Sequence, residues 1–240
     1  MQTVSNPEFI RGIFKQELKN RFLCEVNIYG EDIVCYVPSS CHLENFIKLQ
    51  GREVVLIPTQ TPGSRTKYAL YAIPYKRSYV LLNPSMANRA VEQNIHRKIF
   101  SFLGKRHSVY TEHFIDGYKS DLFIKDTSTI IEIKSVISMQ TPALFPTVYS
   151  ERTLRQLQHL GKLMESGYRA CFCIISLNPY IKAITLNRET EFYKELQECL
   201  TRGMLLKAFS CRFRDGQLIL DRQLQVCGLN DNISDLESSK

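Results

Sequence analysis

The hydrophobic period of this chain changes near Asn83-Pro84, and the change separates two kinds of architecture. Before it, Phe9 to Phe14, Phe22 to Ile28, Asp32 to Val37, Val54 to Pro58 and Lys67 to Ile73 are short runs rich in β-branched and aromatic residues. That is strand composition. Tyr29-Gly30-Glu31-Asp32 and Thr61-Pro62-Gly63-Ser64 supply turns between them. Strands this short and this dense predict a small barrel. After the change, Val91, Ile95, Ile99 and Phe102 recur at helical spacing, with Gly104 as a stop. Three strand candidates follow, Val109 to Ile115, Tyr118 to Ile124 and Thr129 to Val136. Asp116-Gly117 joins the first two as a hairpin, and Asp126-Thr127-Ser128 turns between the next two. A second helix starts at Ser150, which can cap it, buries Leu154, Leu157, Gly161 and Met164, and ends at Gly167. The apolar strand Ala170 to Leu177 is next, then a helix over Thr190 to Leu200 stopped by Gly203, and a hairpin at Asp215-Gly216. The expected class is α/β (α+β): a β-barrel over 1–82, then a mixed sheet with flanking helices over 83–226. Met1 to Asn6 and the polar tail 227–240 are expected to be disordered ends.

Composition narrows the setting. No apolar run reaches the roughly 18 residues that a membrane helix needs; the longest, Ala170 to Leu177, reads as a buried strand. The polar start, Met1 to Asn6, does not read as a signal peptide. The 8 cysteines form no CxxC pair, so a disulfide framework is not expected and a reducing cytoplasm is. Cys171 and Cys173 share one strand face and read as small core residues. Cys35, Cys41 and His42 cluster, but no second Cys/His cluster completes a zinc spacing. Net charge is +7, and the tail carries Asp231, Asp235 and Glu237 against Lys240 alone, so the body is more basic still. Such a body suits nucleic acid or an anionic surface, and equally a mildly basic cytosolic protein. The expected partner is DNA or RNA with no membrane; the oligomeric state is open, a homodimer included.

The most informative spacing is Asp121, ten intervening residues, then Glu132-Ile133-Lys134. Glu132 and Lys134 point to one face of a strand, while Ile131 and Ile133 point into a core on the other. If the strands pair as a hairpin, Asp121 lies beside Glu132. Paired carboxylates can hold Mg²⁺ or Mn²⁺ through oxygen, with a substrate phosphate completing the shell. Such an ion acidifies water and offsets phosphoryl charge, and a lysine can orient the attacking water. The same residues also fit an ordinary surface ion pair. Glu92 borders the buried stripe of the first helix and would supply a third carboxylate; a solvated helix glutamate fits it as well. On the second helix, Arg152, Arg155, Gln156 and His159 form one stripe suited to phosphates or to solvent. His159 and the other histidines read as structural or surface residues. In the barrel, Lys19, Arg21, Arg65 and Lys67 interleave with Phe22, Tyr68, Tyr71 and Tyr75, the ingredients of single-strand binding. Phe22 reads as barrel core. The nucleic-acid contacts expected are Arg21, Arg65, Lys67, Arg152 and Arg155.

The ordered motifs resemble the sugar fermentation stimulation protein (SfsA) family over about Ile10 to Val226. Asn20-Arg21-Phe22-Leu23-Cys24-Glu25-Val26 is similar to its K-R-F-L-x-x-V, and Asn88-Arg89-Ala90-Val91-Glu92 to its P-N-x-L-V-x-E. Ser120-Asp121-Leu122-Phe123 resembles S-R-x-D-F, and Glu132-Ile133-Lys134-Ser135-Val136 resembles E-V-K-x-V. Phe145-Pro146, Ser150-Glu151-Arg152 and Leu157 follow F-P-D-x-x-T-x-R-x-x-x-H-L. The resemblance implies an OB-fold barrel, a PD-(D/E)XK restriction-endonuclease-like domain, DNA binding and metal-dependent nuclease activity on DNA or RNA. It maps Glu92, Asp121, Glu132 and Lys134 onto the nuclease site. The chain departs from the family where C-P-N-T-G-S-M becomes Val37-Pro38-Ser39-Ser40-Cys41-His42-Leu43 and where Y-x-W becomes Tyr68-Ala69-Leu70. Thr147 replaces the F-P-D aspartate and Gln156 the helix histidine. A non-catalytic DNA-binding protein or regulator with a vestigial site is the alternative reading.

Overall fold

The computed structural model describes residues 9–39, 42–59 and 63–229. Five strands form the barrel: β1 (Ile10–Glu17), β2 (Leu23–Ile28), β3 (Glu31–Tyr36), β4 (Glu53–Pro58) and β5 (Tyr68–Tyr75). They pair in the order β3-β2-β1-β4-β5, and Tyr36 opposite Ala69 closes β3 onto β5. Alternation puts Phe14, Cys24, Val26, Ile28 and Cys35 inside. Gly12 is required on β1, because a Cβ there would stand 2.6 Å from Val26 Cγ1 and 2.8 Å from the Asn27 carbonyl. The hairpin expected at Tyr29-Gly30 forms, with φ of 53° and 93°. The Thr61-Pro62-Gly63-Ser64 turn lies partly outside the described residues. A sixth strand, β6 (Ser78–Leu81), was not foreseen; its four residues are too short to show alternation.

The second half contains α1 (Met86–Asn94), β7 (Val109–Thr111), β8 (Phe114–Ile115), β9 (Tyr118–Lys119), β10 (Leu122–Ile124), β11 (Thr129–Val136) and β12 (Ala143–Phe145). Next come α2 (Glu151–Glu165), β13 (Arg169–Ser176), β14 (Ala183–Leu186), α3 (Glu191–Thr201), β15 (Leu205–Arg214), β16 (Gln217–Gln223) and β17 (Gln225–Cys227). The main sheet runs β16-β15-β13-β11-β10-β7, with β11, β13 and β15 parallel at its centre. A small parallel sheet, β12-β14-β17, flanks it.

Several expectations change. The first helix stops at Asn94 rather than running through Phe102. Asn94 is buried, and its Nδ2 donates to the carbonyls of Ala90 and Leu218, both at 2.8 Å. The chain then turns, and Lys98–Leu103 forms 3₁₀ turns ending at Gly104 (φ 77°). The strand candidates 109–115 and 118–124 are each broken, at Glu112-His113 and at Ser120-Asp121. The buried face of α2 is Leu157, Leu160, Gly161 and Leu163; Leu154 and Met164 are half-buried at its border. Ser150 caps this helix, accepting from the Thr153 amide at 3.2 Å. Cys227 belongs to β17, and the Tyr193 hydroxyl donates to the Gly228 carbonyl at 2.9 Å, so ordered chain continues into the segment expected to be a tail. Residues 1–8 and 230–240 lie outside the described residues.

Both faces of the main sheet are covered. Ile131 and Ile133 pack with Val91, Leu103 and the barrel residues in one core. Ile130, Val136 and Phe172 pack with Leu157 and Leu196 in another. The first core is continuous between barrel and sheet: the Phe9 ring lies 5.4 Å from Tyr71 and 5.8 Å from Phe213. The Leu81 amide also donates to the Leu177 carbonyl at 3.0 Å. Cys171 and Cys173 are buried, as expected, and the described cysteines are free. Cys41 lies outside the described residues. No described helix is long and apolar enough to cross a membrane.

Candidate active site

The site forms where β10 parts from β11. Their ladder ends with Leu122 opposite Ile131. Just before that point the chain is kinked at Ser120-Asp121, which turns the Asp121 carboxylate toward the ladder's end. There Oδ2 accepts the Ile133 amide at 2.7 Å, and Oδ1 accepts Asn88 Nδ2 at 2.8 Å. Asp121 thereby ties α1 to the opening of the sheet.

Glu132 lies one residue before the amide that Asp121 holds, and its side chain enters the core on the α2 side. It is 0% exposed. A buried carboxylate is costly unless partners satisfy it. Lys134 Nζ donates to Oε1 and the Tyr118 hydroxyl donates to Oε2. Lys134 also donates to Gln156 Oε1 at 2.9 Å, which links β11 to α2. Burial holds the Glu132 pKa above the ordinary carboxylate value; Lys134 opposes this and the charge of Asp121 adds to it. Burial, then the neighbouring Glu132, pushes the Tyr118 phenol up.

Glu92 follows Asn88 by one helical turn on α1. Its pKa is also raised, first by desolvation; Arg89 offsets this, while Glu112 and Asp121 add to it. Glu112 is an unforeseen member of the acidic rim, paired with Lys119 at 3.0 Å. Among the described residues, no three acidic, histidine or cysteine side chains converge within reach of one metal ion. The structure therefore brings Asp121, Glu132 and Lys134 together and leaves Glu92 on the rim. The donors still suit a hard divalent cation, which takes carboxylate oxygens and keeps much of its shell for water and phosphate. Burial is the main cause of the raised pKa on both glutamates, and the Asp121 carboxylate adds a smaller contribution to each.

The stripe on α2 faces this centre. Tyr118, Glu151, Arg152, Arg155, Gln156 and His159 line a hollow of about 290 Å³. Arg155 is paired with Glu151, while Arg152 lies close enough to Tyr118 to counter the rise in its pKa. The His159 ring meets Tyr118 edge-on at 5.1 Å, so this histidine lines the site rather than a remote surface. On the barrel, Arg21, Arg65 and Lys67 are exposed. Phe22, expected in the core, is 38% exposed, with the Arg21 guanidinium 4.9 Å from its ring centre. Tyr71, by contrast, is buried against Phe9 and Phe213. Sequence reasoning missed Tyr118, Asn88 and Glu112 as members of the site. Tyr118 directly follows the Asp116-Gly117 turn, and that hairpin was the available signal.

Comparison with known proteins agrees with this layout. A family model described as "Sugar fermentation stimulation protein RE domain" matches residues 85–217, and one described as "SfsA N-terminal OB domain" matches residues 18–82. A sugar fermentation stimulation protein homolog of Caldanaerobacter subterraneus is 28% identical over 229 residues, covering 93% of this chain and 98% of that protein. A homolog from Methanobrevibacter smithii is 26% identical over 220 residues, covering 85% and 91%. The fold matches a solved Pyrococcus furiosus SfsA with a TM-score of 0.78 at 20% identity, over 94% of this chain and 99% of that one. From the barrel through the divided sheet, the chain belongs to the sugar fermentation stimulation protein (SfsA) family.

Proposed function

We propose that this protein is a metal-dependent nuclease of the PD-(D/E)XK type, hydrolysing phosphodiester bonds in DNA or RNA. The observation that carries the reading is Asp121, Glu132 and Lys134 gathered where two strands part, beside an arginine-bearing helix. A protein that only binds phosphates has little use for carboxylates there, since they repel the ligand unless a cation intervenes. Asp121 and Glu132 would hold Mg²⁺ or Mn²⁺, with Glu92 adding charge from the rim. The Pyrococcus furiosus relative was solved in complex with Ca²⁺, a cation of the same hard class. When bound, such an ion acidifies water and offsets charge on the phosphoryl oxygens.

The chain's own groups do the rest. Lys134, held by Gln156, orients the attacking water and balances developing negative charge. The Tyr118 hydroxyl fixes the Glu132 carboxylate. Arg152 and Arg155 bind flanking phosphates, and Arg21, Arg65 and Lys67 extend the contact over the barrel. One observation favours the non-catalytic alternative: both Glu132 oxygens already have partners within the protein. The test is incubation with labelled single- and double-stranded DNA and RNA in Mg²⁺, Mn²⁺ or EDTA, beside Glu132→Gln. The account expects cleavage in metal only, lost in the variant. Tight binding with no product under every condition favours the alternative.

A further inference from the structure

A second cavity, of about 200 Å³, meets the proposed centre at Lys134. The two concavities flank the start of α2. Ser150 and Thr153 line the cavity, while Glu151, Arg152 and Arg155 line the basic hollow. Lys134 belongs to both neighbourhoods, because it lines the cavity and donates to Gln156 of the hollow. The cavity walls are mainly apolar and come from both halves of the molecule: Phe46 of the barrel, then Pro84, Val136, Phe145, Tyr149 and Phe192. Tyr149 is 65% exposed and lines the cavity, so part of its ring faces solvent there. Exposed Thr147 and Ser150 also border the cavity, which connects it to solvent.

We propose that this cavity receives one unstacked base of the strand being cut, so that the preferred substrate is single-stranded. The proposal rests on the nuclease reading and names its substrate class. Size fits one base: a cavity of about 150 Å³ accommodates a benzene ring, so this one takes a single base and excludes a base pair. Chemistry fits as well. A base is uncharged and presents aromatic faces, which suit aromatic and aliphatic walls. The phosphate beside it is anionic, and it would meet Lys134 on the cavity wall and Arg152 of the hollow across the start of α2. A paired base would first have to leave its stack to enter.

The test uses short single strands carrying one abasic nucleotide at successive positions, with wild type and Val148→Trp. Val148 is half-buried on the cavity wall, where an indole fills the space. The expected result is an abasic position that lowers cleavage at one neighbouring phosphate by about tenfold, the value of one stacked base. Val148→Trp loses a similar factor on the intact strand and becomes indifferent to the abasic position. A duplex of the same sequence is cut more slowly than the single strand. Wild-type cleavage that ignores every abasic position overturns the cavity and leaves the nuclease reading standing. Absence of cleavage from every strand overturns the nuclease reading instead. The cavity is then decided by binding a single strand that carries a fluorescent base analogue: a signal change lost in Val148→Trp supports it, and equal signals overturn it. If Val148→Trp fails to fold, Tyr149→Ala replaces it, with weakened binding of the intact strand expected and unchanged binding contrary.

Discussion

Glu132 shows how a local rule becomes chemistry. Strand alternation placed Glu132 and Lys134 on one face, and the structure keeps them there, bonded to each other. The environment of that face was not legible, because a second core and α2 cover it and the covering residues lie far along the chain. The raised pKa of Glu132 has a thermodynamic consequence. A carboxyl whose folded value lies above its ordinary 4.5 contributes stability that is fully present below that value and is lost as pH rises through the folded value. In EDTA, Glu132→Gln should therefore gain stability over wild type as pH rises above 4.5, read as a growing difference in Tm. A difference that does not vary with pH contradicts the burial argument. Tyr118 was only partly legible: the Asp116-Gly117 turn marks its hairpin, but its bond to Glu132 depends on where that hairpin packs. Tyr118→Phe removes one donor to a buried carboxylate and should cost about 1–3 kcal/mol in denaturant unfolding. It should also lower cleavage without abolishing it, because Lys134 remains.

Elements were legible where a local signal fixed both ends. Ser150 with Glu151 and Gly167, and Thr190 with Gly203, bracket α2 and α3 because capping and left-handed termination act within a turn. The end of α1 was hidden, since Asn94 stops the helix through a bond to Leu218, which is remote in sequence. The break at Ser120-Asp121 was hidden for a similar reason: Asp121 is occupied by partners on α1 and β11, not by its own strand. Barrel closure brings β1 and β2 so close that Gly12 has no room for a side chain. Gly12→Ala should cost roughly 1–3 kcal/mol through overpacking, measured by chemical denaturation. A neutral result would mean that the barrel opens at this pair of strands more easily than its register implies.

At the scale of the whole molecule, the change of period at Asn83-Pro84 marks a change of architecture without a gap in the core. Phe9, Tyr71 and Phe213 join barrel and sheet, so the two should unfold in one transition. Phe213→Ala should destabilise both by about 1–3 kcal/mol, seen as matched shifts in probes placed on each half. Separate transitions would contradict a common core. The shared core also fixes the barrel, with its exposed Arg21, Arg65 and Lys67, relative to the sheet that α2 packs on. The central claim is that the carboxylates at the parting of β10 and β11 perform cleavage and do not merely support the fold. The most direct test is single-turnover cleavage of a labelled single strand in Mg²⁺ by wild type and Asp121→Asn, with affinity measured on the same samples. The account predicts loss of cleavage by roughly a thousandfold or more, with affinity changed by no more than about threefold. Cleavage that survives the substitution at the wild-type rate would contradict it.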